Sequence, residues 1–185
     1  ARWNKVYNLT ALRDPAQMRS HHLDDSLSIV APLERHAAGR PMQIVDVGSG
    51  GGLPGVVLAI THPDWQVTCV DAVEKKARFV QQVALELALP NLRAVHARVE
   101  QMPPAGADIV VSRAFASLPD FCAWTRRHLG PQGVWLAMKG KHPADEIAAL
   151  PADVQVFHVE QLAVPGLDAE RCAIWMQPGP ERAAQ

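Results

Sequence analysis

The sequence predicts an α/β fold: a seven-stranded, mostly parallel sheet, doubly wound by helices, with an antiparallel last strand. Three observations carry that prediction. An apolar run, Ile44-Val45-Asp46-Val47, breaks into glycine at four of the five positions 48 to 52 and then into a second apolar segment, Val56 to Ile60, which reads as strand, turn and helix. Downstream, short apolar runs alternate with helical periodicity, the pattern of βαβ units. Pro165-Gly166 separates the last two runs, and a turn there makes them an antiparallel pair. At 185 residues the chain is long enough for one such domain and too short for two comfortable ones.

Composition narrows the function. Charged residues make up 20% and apolar ones 48%, ordinary for a soluble globular protein. The formal net charge is −1, so no global field draws in nucleic acid, and any such contact has to come from a local patch. Cys69, Cys122 and Cys172 lie far apart without C-x-x-C spacing, which argues against a disulfide framework and a zinc knuckle. The adjacent His21 and His22 point about 100° apart on a helix, so they read as solvated surface, and no metal site is expected. No segment approaches 18 apolar residues and no secretory segment opens the chain, which leaves a reducing cytoplasm, no membrane contact and a monomer as the expectation.

Residues 1–39 read as a helical preamble, 40–178 as the main domain and 179–185 as a polar tail. In the preamble, Trp3 to Thr10 is too mixed for a strand, Asp14-Pro15 offers a helix start, and Leu23, Leu27, Val30 and Ala31 fall on one helical stripe. After the first strand, Pro54 suits the first turn of the helix that follows. The second strand runs from Gln66 to Val70 and ends at Asp71. A helix from Val73 to Leu87 turns Phe79, Val80, Val83 and Leu87 inward. Lys75, Lys76 and Arg78 crowd its first turn, where cations oppose the helix dipole; that hints at an anion, and a solvated face reads equally well. The third strand is Leu92 to Ala97 and the fourth Asp108 to Ser112. A helix from Leu118 to Leu129 follows, stopped by Gly130-Pro131, and then a fifth strand, Val134 to Met138. A short helix, His142 to Leu150, precedes the sixth and seventh strands, Val154 to Val159 and Arg171 to Gln177.

In doubly wound sheets ligands bind beyond the carboxyl ends of the strands. Gly48, Asp71, Arg98 with Glu100, Arg113, and Lys139 with Lys141 follow strands one to five in turn, so all fall on that edge. The clustering of Arg and Lys there is informative although each residue alone is not. The glycines exceed what packing of a tight turn needs, and exposed N–H groups at the helix start would face a ligand. The dinucleotide fingerprint fails, since counting from Gly48 requires glycine where Leu53 stands. Asp46-x-Gly48-x-Gly50-x-Gly52 describes the loop better. It resembles motif I of the class I S-adenosylmethionine-dependent methyltransferases, which implies their Rossmann-like fold and a loop that cradles a sulfonium amino acid. Asp71, about twenty residues beyond Gly52, stands where ribose hydroxyls are bound in such folds; Asp71-x-x-Glu74 also reads as a capping box, and both can hold.

A wider set of blocks is similar to the bacterial small-subunit (16S) rRNA guanine-N7 methyltransferase family, also called glucose-inhibited division protein B (RsmG-like). These are Trp3-Asn4-Lys5 with Asn8-Leu9-Thr10, His22 to Leu27, Asp46 to Gly55, Arg98-Val99-Glu100, Ser112 to Ala116 and Lys139-Gly140. The resemblance covers nearly the whole chain in order. Members carry a further helical segment ahead of the W-N-K block, so the preamble is expected to be truncated. The resemblance implies methyl transfer from S-adenosylmethionine to guanine N7 in 16S rRNA, free or within the small ribosomal subunit. It places the cofactor on the glycine loop (Gly48, Gly50, Gly52 and Leu53) and its adenine along Val99 and Glu100. Arg113 closes the cofactor site next to the substrate, and Arg98, Lys139 and Arg171 form a basic surface for rRNA, with Lys75 as a further candidate. Arg113 or Lys139 would hold guanine O6, while Phe115 or Trp3 would stack on the base; Phe115 reads equally as core. Arg171 has a rival reading as an edge-strand solubilising charge. Two other functions fit the fold: a methyltransferase acting on a protein or small molecule, and a non-catalytic ribosome-assembly binder. The intact glycine loop with Asp71 and Glu100 counts against the second, and the failed fingerprint against a nicotinamide oxidoreductase.

Overall fold

The computed structural model describes residues 19–113, 115–164 and 170–179. The expectations for Trp3–Thr10, Asp14-Pro15, Pro165-Gly166 and residues 180–185 lie outside the described residues. A wide helical turn, Arg19–Asp24, and a short one, Asp25–Leu27, lead into helix α1, Val30–Ala37. Then come β1 (Gln43–Val47), α2 (Gly55–Thr61), β2 (Gln66–Asp71), α3 (Glu74–Glu86) and β3 (Leu92–His96). The second half holds β4 (Ala107–Arg113), α4 (Leu118–Thr125), β5 (Leu129–Lys139), α5 (Ala144–Ala148), β6 (Val154–Gln161) and β7 (Cys172–Pro178).

The strands form one sheet in the order β3-β2-β1-β4-β5-β7-β6, and β7 lies antiparallel between β5 and β6. The chain starts in the middle with β1, builds outward to β3, and returns beside β1 as β4. That reversal between β1 and β4 opens a crevice at their carboxyl ends. Alternation along the strands divides the core. Ile44, Val67, Ile109 and Leu136 pack with Ile29, Leu33, Leu58 and Val80 on one face, and Val45, Val47, Val110 and Trp135 with Leu118, Phe121 and Met176 on the other. Both faces are covered, as a parallel sheet requires.

Four local expectations are corrected. Leu87, expected to face inward, stands at the C-cap of α3 and is 52% exposed. The stripe through Leu23 and Leu27 is not the buried one: both are exposed, while Asp25, Ser26 and Ile29 are buried. Pairing of Asp25 with cations from the sheet turns that face inward, as described below. The helix expected to reach Leu129 ends at Thr125, tightens into a 3-10 turn over Arg126–His128 and passes straight into β5. Buried His128, whose Nε2 lies 2.8 Å from the Val99 carbonyl oxygen, holds that tighter turn against the sheet edge. Pro54 precedes α2 as its N-cap, and the helix starts at Gly55.

Candidate active site

The loop from β1 to α2 is shaped by left-handed backbone at Gly48, φ +66, and Gly50, φ +57, a conformation that side chains other than glycine adopt only at a cost. Most of its N–H groups are spent inside the protein. Gly48 and Ser49 donate to the Val70 carbonyl at 2.9 and 3.2 Å, Gly52 and Leu53 donate to Ser49 at 2.8 and 3.2 Å, and Val56 donates to Gly52 at 2.6 Å. Gly50 donates to Asp71 Oδ2 at 3.0 Å and Gly55 to Asp46 Oδ2 at 2.8 Å. The expectation of exposed donors at the helix start is therefore corrected. A loop with most of its donors already bonded is a poor phosphate cradle, which weakens the attraction for a dinucleotide and suits a cationic ligand.

Asp46, fully buried on β1, is the anchor beneath this loop, a role that its place in the motif did not reveal. A β-carbon at Gly55 would stand 2.9 Å from Asp46 Oδ2, so glycine there allows the helix to start against the carboxylate. Oδ1 has no partner. Burial pushes the Asp46 carboxyl up to about 7, against the pull of the Gly55 N–H and the Arg113 guanidinium. Asp71 also takes an unexpected form. Its Oδ1 accepts the Val73 N–H at 2.8 Å while Oδ2 holds Gly50, and α3 begins after Val73; the acid staples the loop to the helix entry instead of forming a capping box with Glu74.

Five of the expected site residues line one cleft of about 370 Å³, Gly48 and Asp71 on one side with Arg98, Val99 and Glu100 across from them. That volume lies within the range of small-ligand sites. Phe115 and Trp124 form its far wall, their rings edge-to-face at a centroid distance of 5.8 Å. Phe115 sits so close over Gly48 that an added β-carbon would collide with the ring. Trp124, which the sequence reading missed, is 41% exposed, unusual for a tryptophan of an otherwise apolar helix. Lys76, and not Lys75, reaches the cleft. Gly52 and Leu53 stand away from it; a β-carbon at Gly52 would lie 2.7 Å from Val56 and 3.0 Å from Val80, so this glycine serves helix packing. At the mouth Arg98 and Glu100 approach within 3.8 Å, both well exposed.

Beyond the cleft, three cations stand at the ends of three neighbouring strands: Arg113 on β4, Lys139 on β5 and Arg171 just ahead of β7. Each meets a carboxylate. Asp25 Oδ2 lies 3.4 Å from Arg113 Nη1, and its Oδ1 accepts Arg171 Nε–H at 3.1 Å. Lys139 Nζ donates to both oxygens of Glu146, at 3.1 and 2.8 Å, and to the Ala116 carbonyl at 3.0 Å. His22 is corrected as well. Its Nδ1 lies 3.0 Å from Arg113 Nη1, and since a guanidinium only donates, Nδ1 is the acceptor.

Comparison with known proteins decides what this edge belongs to. The family model described as rRNA small subunit methyltransferase G (GidB) matches residues 1–174. The chain belongs to this family. It is 62% identical over 186 residues to the ribosomal RNA small subunit methyltransferase G of Acidovorax sp. (strain JS42), covering 96% of this chain and 81% of the relative. The protein of the same name from Bordetella avium (strain 197N) is 63% identical over 177 residues, covering 95% and 79%. Among solved structures, a SAM-dependent methyltransferase from Aquifex aeolicus superposes with a TM-score of 0.65 at 14% identity, over 95% of this chain and 96% of that one. TrmN from Thermus thermophilus also gives 0.65, at 21% identity, over 91% and 55%. These distant structures share the methyltransferase fold. Membership in the small subunit methyltransferase G family makes the chain an S-adenosylmethionine-dependent methyltransferase, and the internally bonded loop, the Asp71 carboxylate and the cleft fit that cofactor.

Proposed function

We propose that the protein methylates N7 of a guanine in small-subunit (16S) ribosomal RNA. The observation that carries this reading is the adjacency of a cofactor-sized cleft to three strand-end cations, in a chain that matches the rRNA methyltransferase family over residues 1–174. When bound, S-adenosylmethionine supplies an electrophilic methyl group on sulfur. Gly48 and Gly50 shape the loop beneath it, with Gly52 and Leu53 behind them. Asp71 has one backbone N–H on each oxygen, and each oxygen keeps a lone pair for a ribose hydroxyl. Val99 offers an apolar wall and Glu100 an acceptor for the adenine amino group.

Guanine N7 carries a lone pair and no proton at neutral pH, so the enzyme needs no general base. Its task is to bring the nucleophile in line with the methyl group, reacting atoms roughly 3 to 3.5 Å apart. Arg113 is the better donor to guanine O6. The three protons of Lys139 already meet three acceptors, and its place in the reaction is to brace the Ala116 backbone one residue from Phe115. Phe115 and Trp124 close the cofactor side, and Arg98, Arg171 and Lys75 meet rRNA phosphates. A protein of near-neutral net charge binds phosphate through such a patch, so its rRNA affinity should fall steeply with salt.

The test is transfer of labelled methyl from S-adenosylmethionine to small ribosomal subunits, and to free 16S rRNA, from cells that lack the endogenous activity. The expected product is 7-methylguanosine, identified by mass and lost in Asp71→Ala. Label in protein or in small molecules alone, with no salt-dependent affinity for rRNA, would refute the proposal.

A further inference from the structure

Asp25 belongs to none of the groups assigned above, yet it joins two of them. It sits on the short helical turn ahead of α1, its side chain 6% exposed, and bridges Arg113 and Arg171 through its two oxygens. The sheet alone cannot bring these arginines together, because β5 lies between β4 and β7. Two long cationic side chains on a common edge repel, and each has several rotatable bonds to spread over. One carboxylate between them removes the repulsion and fixes both directions. One anion against two guanidiniums still leaves a net positive charge at the edge. His22, three residues earlier, bonds Arg113 from the same segment, so the turn grips this arginine at two points.

We propose that Asp25 is a positioning residue for methyl transfer: it orders Arg113 and Arg171 as one matched pair that receives the substrate guanine and the phosphate beside it. The proposal rests on the rRNA reading above. It assigns a function to the described residues before β1, none of which lines the cofactor cleft but which set the geometry on the substrate side. A group that acts through others should govern turnover more than cofactor affinity, since displacement of a catalytic contact by about 1 Å costs about 10²-fold.

The experiment compares the wild type with Asp25→Asn, which keeps shape but loses charge, and with Asp25→Ala. In each, kcat and KM on small subunits, affinity for S-adenosylhomocysteine, melting temperature and solvent exchange of the Arg171 Nε–H by NMR are measured. The expected result for Asp25→Asn is a kcat lowered roughly 30-fold, cofactor-product affinity within about threefold, a cooperative melt and faster Nε–H exchange. Full kcat in Asp25→Asn overturns the proposal. So does a parallel loss of kcat, cofactor-product affinity and cooperative melting, which would make Asp25 a fold-supporting residue. A wild type that leaves rRNA unmethylated refutes the rRNA reading instead. The Nε–H exchange then decides alone: slow exchange hastened by Asp25→Asn supports an ordered pair, and exchange already fast in the wild type overturns it.

Discussion

The cleft walled by β1, β2 and β3 and the cationic edge formed by β4, β5 and β7 lie side by side, and their polar groups are held in different ways. In the cleft the backbone carries the order: Asp71 is fixed by the N–H groups of Gly50 and Val73, and the glycine loop spends most of its donors internally. The charges at its mouth, Arg98 and Glu100, are solvated and loosely paired. On the cationic edge side chains carry the order, and each cation is gripped by a carboxylate brought in by an added element, Asp25 from the preamble and Glu146 from α5. Under the proposed function a small cofactor would be met by a preformed backbone surface, and a large polyanion by long side chains whose freedom has been removed beforehand, so that ordering costs less on binding.

Gly48→Ala should break the separation of the two regions most severely. The new methyl group strikes Phe115, the cleft wall whose neighbour Ala116 is held by Lys139 of the cationic edge, and it also disfavours the left-handed backbone. Affinity for S-adenosylhomocysteine, measured by calorimetry, should fall about 100-fold or more, equivalent to about 2.7 kcal/mol. Adding Phe115→Ala should restore only part of it, because the backbone cost stays. Lys139→Ala should come next, with kcat down roughly tenfold to thirtyfold and cofactor affinity nearly unchanged. Equal losses in both would show that the edge and the cleft are one unit.

A smaller effect concerns Asp46, beneath the seam of the two regions. Its carboxyl is raised from 3.8 to about 7 in the folded protein, chiefly by burial. Between those values the folded protein holds a proton that the unfolded chain has released, so stability should fall as pH rises from about 4 to about 7 and level off above. Melting temperatures across that range should show the decline in the wild type and a flatter profile in Asp46→Asn. Equal slopes would mean that Asp46 is ionised throughout. The smallest effect is expected for Arg98→Ala, since an exposed pair at 3.8 Å contributes little. Its rRNA affinity should drop a few fold, and the slope of log affinity against log salt should shrink by about one.

The cleft was more legible in the sequence than the edge, for a physical reason. Strand ends, glycine spacing and the acid at the end of β2 are local features, and each βα unit repeats them in register. The alternation of apolar runs was enough to place Gly48, Asp71, Glu100, Arg113, Lys139 and Arg171 on one edge of the sheet. What held the cations there was not legible, because periodicity finds the apolar face of a helix and assigns polar residues to water. Asp25 reverses that rule: it is buried while Leu23 and Leu27 are exposed, and its partners lie 88 and 146 residues away. The pair Asp24-Asp25 inside an apolar-periodic segment was the available signal. Glu146, on a helix with no buried residue, gave none. Bonding of the loop donors within the protein was hidden too, since spacing of glycines shows where the backbone bends and not where its N–H groups point.

The ion pair of Asp25 with Arg171 joins residues 146 positions apart and so has a consequence for biosynthesis. At translation rates of about 5–20 residues per second, a nascent chain displays Asp25 for roughly 7 to 30 s before its second arginine is made. The glycine loop and β2 are finished early in that interval. The growing polypeptide can thus complete the residues of its cleft, which reach as far as Trp124, before Arg171, the second arginine that Asp25 holds, is made.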